Sequence, residues 1–186
     1  MIDRNSVSGM IRRFDPSSDG EALKSRELAL QLLECSPAPF SRAQFTPGHI
    51  TCTGLVLGPD GESLLLVHHR RLGRWLLPGG HIEPEDAEIW EAARREVAEE
   101  TGVSVAPDGT PPLGGVDVHG IPAGRSEPYH LHHDLVFAFR GAGWDCRVSH
   151  ESREVAWCAP SALGRYDLPP SICRAYARVR ELLSDG

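Results

Sequence analysis

Lysine is nearly missing from this 186-residue sequence: Lys24 stands alone among 19 basic residues, the rest being arginine. Basic charge is scarce overall, with 26 acids against 19 bases and a formal net charge of −7. That excludes non-specific nucleic-acid binding, which needs a basic footprint. It leaves nucleotides open, because a metal ion can supply the positive charge. No apolar run approaches the roughly 18 residues of a membrane span. The opening MIDRNSVSGMIRRFD holds no apolar signal core, so a cytoplasmic protein is expected. Five cysteines stand at 35, 52, 146, 158 and 173 without a CxxC pair, which argues against a zinc finger and a disulfide framework. Internal repeats and low-complexity tracts are also missing.

What is present is 40% apolar residues in a chain long enough for one ordinary core. Residues 1–17 are polar and show no clear period. Ser18 to Cys35 reads as a helix, with Ser18 and Glu21 at capping-box spacing and a stripe of Leu23, Leu30 and Leu33. That stripe is expected to pack against the main domain or a second subunit, so a homodimer is one reading of it. Pro37, Pro39 and Pro47 then form a linker. The expected division is an N-terminal helical extension with linker at 1–47 and a main domain at 48–186. In the latter, HITCTGLVL and SLLLVHH flank a Pro59-Asp60-Gly61 turn as a hairpin. Further strands are expected near Gly115–His119, Leu131–Arg140 and Val155–Cys158, with helices near Ala87–Thr101 and Ser171–Leu183. Strands and helices mix without strict alternation, which points to an α/β or α+β layered fold.

The helix at 87–101 breaks the rules of a stable helix. Between Glu83 and Glu100 lie eight acids and two bases, a charge of −6. At about 100° per residue, Ile89, Ala93, Glu96 and Glu100 share one stripe and Glu99 lies beside it. Carboxylates three and four residues apart repel one another. At a helix C-terminus each opposes the macrodipole by roughly 0.3–1 kcal/mol. They also continue an apolar face, so partial desolvation is expected. A solvated acidic face with Glu91–Arg95–Glu99 pairing is the plain reading. The alternative is a divalent cation that offsets the repulsion, with hard oxygen ligands suited to magnesium or manganese. Gly79-Gly80 is either a simple turn or a close backbone approach to a metal or phosphate.

The stretch from Pro78 to Val103, PGGHIEPEDAEIWEAARREVAEETGV, resembles the signature of the Nudix hydrolases. Gly80 matches its first glycine, and Arg95 to Val103 matches its whole second half. Two departures stand out. Asp86 occupies the place of a glutamate, and eight residues rather than seven precede Arg95. No role is therefore carried over to Asp86. The resemblance implies a Nudix-type α/β/α sandwich around a mixed β-sheet. It implies Glu96, Glu99 and Glu100 as ligands of Mg2+ or Mn2+, joined by the Gly80 carbonyl. Glu99 is also expected to act in catalysis, with Arg95 orienting the carboxylates. A further acid is expected ahead of Trp157, from Glu151 or Glu154, with Glu151 favoured by spacing. The implied reaction is cleavage of a diphosphate linkage in a nucleotide-type small molecule by water attack on phosphorus. The rivals are a non-catalytic nucleotide-binding sensor or scaffold and a structural acidic module without metal dependence. Retention of all four box residues favours the enzyme.

Other polar features have two readings each. Arg70 and Arg74, beside His68 and His69, form a solvated loop or contact substrate phosphates. His130, His132 and Asp134 fall on one strand face by alternation, which lines a polar cleft, binds a transition metal or serves structure. Trp75 stacks on a base or packs at the rim of the core. Substrate selectivity is expected in loops such as Gly120–Tyr129.

Overall fold

A computed structural model describes residues 2–105, 109–124 and 126–184. Two helices precede the sheet: α1 (Arg4–Arg13) and α2 (Gly20–Cys35). Seven strands follow: β1 (Gly48–Leu57), β2 (Leu64–His69), β3 (Arg74–Leu76), β4 (Gly79–His81), β5 (Leu113–Ile121), β6 (His130–Arg140) and β7 (Ser152–Cys158). Helix α3 (Ile89–Thr101) lies between β4 and β5, and α4 (Pro170–Ser184) closes the fold after a 3₁₀ turn at Pro160–Arg165. The expected selectivity loop Gly120–Tyr129 is described apart from Arg125, which lies outside the described residues.

The sheet is mixed. Its main path runs β3-β2-β1-β6-β5, with β4 added to β1 and β7 to β2. β1 and β6 are parallel over ten residue pairs, from Gly48 beside Leu131 to Leu57 beside Arg140. The expected hairpin of β1 and β2 is only a corner: the two strands share the single register pair Leu57–Leu64. Beyond it they diverge. The first half of β1 takes β4 as its neighbour, and β2 takes β7 and β3. Each strand is thereby paired with other strands away from the turn.

Both sheet faces are covered, which gives the α/β/α layering. On one face Ile50, Cys52, Leu135 and Phe137 pack against Ile89, Ala93 and Val97 of α3 and against Val7, Ile11 and Leu33 of α1 and α2. On the other, Leu55, Leu57, Leu64 and Leu66 pack against Ala175, Tyr176 and Val179 of α4. The N-terminal helices thus share the main core. Full burial of a side chain such as Ile11 or Leu33 contributes roughly 1.5–3 kcal/mol over exposure, so the extension is bound firmly.

Two local expectations change. Helix α1 forms in the segment that shows no period. Asp3 caps it, accepting from Ser6 N at 2.8 Å, and Val7 and Ile11 are its buried residues, with partly buried Met10 packed beside them; two buried positions in ten residues are too few to print a visible stripe. The cap of α2 is Asp19 rather than Ser18, with its carboxylate accepting from Ala22 N at 3.1 Å. The buried face of α2 is Ala22, Ser25, Ala29, Leu32 and Leu33, while Leu23 points to solvent. No described helix is long and apolar enough to cross a membrane.

Candidate active site

The site grows from the turn between β4 and α3. Gly80 leaves room for the helix: a Cβ there would lie 2.6 Å from Glu96 Oε1. The adjoining turn is closed from both sides, with Asp86 N donating to Glu83 O at 3.1 Å and Glu83 N to Asp86 Oδ2 at 2.8 Å. The additional residue of the signature is absorbed here, and α3 begins at Ile89 with Glu88 as an extended N-cap. Gly102 ends the helix at φ 68°, the left-handed conformation expected of it.

Arg95 organises the acids. Its Nε donates to Asp86 Oδ1 at 3.2 Å and its Nη2 to Asp86 Oδ2 at 3.0 Å. Nη1 reaches Glu96 Oε1 at 3.0 Å and Glu99 Oε2 at 3.2 Å, and Nη2 also donates to the His81 carbonyl at 2.9 Å. Asp86, to which the sequence assigned no role, is therefore the residue that clamps the guanidinium from behind. It is buried. Its two oxygens meet two nitrogens of the planar guanidinium, the fork geometry of a strong charge-assisted pair. The turn absorbs the one-residue shift and brings Asp86 to Arg95.

The three signature glutamates differ in exposure. Glu100 is buried, and its hydrogen-bond donor among the described residues is the Gly79 N–H at 3.4 Å. Burial pushes its pKa up to about 8, reinforced by the Glu96 charge. Glu96 is largely covered, and burial raises it too against the pull of Arg95. Glu99 departs from the expected desolvation: 58% of its side chain is exposed. Glu151 lies near enough to raise both Glu96 and Glu100, and it lines the same cleft. Glu154 is opposite His68 on β7 and is not among the cleft-lining residues.

The cleft also takes Arg70, Arg74, His81, His132 and Asp134 into its walls. Arg70 is tied back by Nη2 to the Ser152 carbonyl at 3.0 Å, and its N–H donates to Glu151 O at 2.9 Å. This fixes the loop that carries Glu151. His130, expected beside substrate, is buried and stands behind His132, outside the cleft-lining set. Trp75 packs edge-on against His68 and Tyr166 at the core rim.

Register pairing assembles a second polar group that sequence alone does not reveal. His49 is beside His132 and Thr51 beside Asp134 across β1 and β6, while Thr51 also faces His81 on β4. Asp134 is partly buried and accepts from Thr51 Oγ1 at 3.0 Å and Thr53 Oγ1 at 2.9 Å. Burial, then repulsion by His49, holds His81 down to about 4. The same causes hold His132 lower still. The alternation of His49, Thr51 and Thr53 along an apolar strand was the available sign of a polar stripe.

An all-oxygen set on two covered carboxylates, one exposed carboxylate and a glycine carbonyl suits a hard divalent ion. Glu100 in particular is a buried acid without a cationic partner of its own among the described residues, since Arg95 bonds Asp86, Glu96 and Glu99. The residues present therefore fit magnesium or manganese.

The comparisons agree with this geometry. A family model described as the NUDIX domain matches residues 48–179. No curated protein matches the chain. Among solved structures, a MutT protein from Methanosarcina mazei Go1 is 26% identical, with a TM-score of 0.51, covering 72% of this chain and 94% of that one. A hydrolase of the NUDIX family from Clostridium perfringens is 22% identical, with a TM-score of 0.53 and coverage of 72% and 97%. A C. elegans Ap4A hydrolase in a binary complex is 16% identical, with a TM-score of 0.52 and coverage of 74% and 98%. With its signature helix, its glycine turn and a family match over most of its length, the chain belongs to the Nudix hydrolase family.

Proposed function

We infer that this enzyme is a pyrophosphohydrolase that cleaves a diphosphate linkage in a nucleotide-type small molecule. The observation that carries the reading is the Arg95-bound group of Asp86, Glu96 and Glu99 beside the buried Glu100, which has no cationic partner among the described residues. The Ap4A hydrolase among the similar structures supports the substrate class. Glu96, Glu99, Glu100 and the Gly80 carbonyl would hold Mg2+ or Mn2+. Such an ion, when bound, neutralises phosphate oxygens and lowers the pKa of water.

The chain's own residues supply the rest. Arg70 and Arg74 on the cleft wall meet phosphate oxygens of the substrate. His132 contributes a neutral polar surface beside them. As water attacks phosphorus, a phosphorus–oxygen bond of the linkage breaks and the water proton passes to a carboxylate. Glu99 and Glu151 suit that task. Their side chains are 58% and 57% exposed, so water reaches them, and both line the cleft. Arg95 keeps Glu99 aimed throughout. Fixed charges that need no rearrangement provide most of the acceleration in phosphoryl transfer.

A panel of nucleoside triphosphates, dinucleotide polyphosphates and nucleotide sugars, assayed with magnesium or manganese for released mononucleotide and phosphate, tests the reading. Turnover of at least one compound is expected, lost in Glu99→Gln. Tight binding of a panel member without turnover by the unaltered protein would instead establish a sensor.

A further inference from the structure

Three imidazoles, two of which (His49 and His81) the hydrolytic mechanism does not use, converge on the sheet face opposite α3. His49 opens β1, His81 ends β4 and His132 lies near the start of β6. One nitrogen from each falls within 4.8 Å of the others. We propose that His49, His81 and His132 form a separate nitrogen-ligand site for a late first-row divalent cation, with Zn2+ as its occupant. The inference does not rest on the hydrolase reading.

Hydrogen bonding settles the protonation that a metal ligand requires. His49 Nδ1 stands 3.1 Å from the Gln44 carbonyl. A carbonyl cannot donate, so Nδ1 carries the proton and Nε2 carries a lone pair. That Nε2 is fully buried and has no hydrogen-bond partner among the described residues. His49 as a whole is 1% exposed. An orphaned acceptor in that position is costly unless something takes its lone pair. A backbone carbonyl on the other ring nitrogen is also the arrangement that fixes and strengthens a ligating histidine.

His132 is held by the same logic one step removed. His130 Nδ1 donates to the Pro128 carbonyl at 2.9 Å, so its Nε2 is an acceptor. That acceptor lies 3.3 Å from His132 Nε2, which therefore donates and leaves Nδ1 as the nitrogen of His132 that can carry a lone pair. His81 is positioned through its backbone, where Arg95 Nη2 binds its carbonyl at 2.9 Å. Because successive residues of a strand face opposite ways, Gly80 meets Glu96 while the His81 ring turns to the other side. The carboxylate group and the imidazole group are thus back to back across β4.

The donor chemistry separates the two. Hard oxygens suit magnesium, whereas neutral imidazoles suit zinc and its neighbours. Tetrahedral zinc at about 2.0–2.1 Å from nitrogen needs ligand atoms roughly 3.3 Å apart. Closing from the present spacing requires side-chain rotations of His81 and His132, which are partly buried. Both rings line the cleft. Three ligands therefore leave a fourth position facing it, open to water or to an oxygen or nitrogen of a bound molecule. Asp134 and Asp117 on the same face favour a cation, and the nearby Glu127 is paired with Arg42 at 3.6 Å.

Cobalt serves as the probe, since four-coordinate Co2+ absorbs visibly where zinc is silent. Metal-stripped full-length protein is titrated with Co2+ in excess Mg2+, which occupies the oxygen ligands. One equivalent should bind with the intense absorption of a four-coordinate nitrogen site, and Zn2+ should displace it. His81→Gln and His132→Gln should each weaken binding at least about 100-fold, more than loss of a group that merely supports a ligand. The Glu99→Gln/Glu100→Gln double variant should keep the band. Circular dichroism confirms that each variant is folded. Absence of the band, its survival in both histidine variants, or its loss in the glutamate variant would overturn the site.

Discussion

Asp86 holds Arg95 by two hydrogen bonds, 3.2 Å to Nε and 3.0 Å to Nη2, on the side away from Glu96 and Glu99. The guanidinium faces Glu96 and Glu99 because its other edge is already taken. Asp86→Ala should therefore lower kcat/KM by about 10–100-fold, the usual cost of removing a group that orients ligands. Asp86→Glu should recover part of it. Steady-state kinetics on the identified diphosphate substrate, with thermal melts to verify folding, decide the matter; an unchanged kcat/KM in Asp86→Ala would show that Arg95 needs no clamp.

Gly80 is a matter of space rather than backbone freedom. A methyl group there would press within 2.6 Å of Glu96 Oε1. Gly80→Ala should push that carboxylate off its position and weaken Mg2+ or Mn2+ uptake at least about 10-fold. Calorimetric titration of manganese into the variant and the unaltered protein checks it.

Glu100 gives the metal-free protein an alkaline weakness. Its folded pKa of about 8 lies above its ordinary value of 4.5. The native state then binds more protons than the unfolded state between those values, so stability falls as pH rises through this window. Glu100→Gln should flatten the decline, and magnesium should reverse it in the unaltered protein while releasing protons. Chemical denaturation at pH 5.5, 7 and 8.5, with and without magnesium, reads both effects.

His133 behaves in the opposite sense. It is buried, both ring nitrogens lack partners among the described residues, and burial holds its pKa down to about 4. A depressed histidine adds stability above its unfolded pKa of 6.5 that is lost as pH falls toward 4. Replacing it by a residue of similar volume without polar atoms removes the desolvation cost. His133→Leu should raise stability by about 1–2 kcal/mol at pH 7 and soften the acid decline, as measured by urea unfolding.

The parts legible in sequence are those written in local spacing. Helix α3 could be placed because Ile89, Ala93, Glu96 and Glu100 repeat at helical intervals, and Gly102 marks its end. Strand β6 could be placed by alternation from His130 to Arg140. Asp86 was illegible because its function depends on how the Glu83–Asp86 turn folds, a geometry that spacing does not encode. His49 and His81 were illegible for another reason: they meet His132 through the registers of β1 with β6 and β4, between segments up to 83 positions apart. The splayed β1–β2 corner escaped prediction because a turn signal says where strands meet and not how long they stay together. Helix α1 buries two side chains, Val7 and Ile11, fewer than a periodicity needs.

The central claim is that the crowded acids of α3 are tolerated because they hold a divalent ion. Counting bound Mn2+ by electron paramagnetic resonance, with a non-hydrolysable nucleotide diphosphate analogue added, tests this most directly. At least one Mn2+ per chain should disappear from the free signal, and Glu99→Gln/Glu100→Gln should restore it to solution. An unaltered protein that leaves all Mn2+ free, or a double variant that still binds it as tightly, would contradict the account.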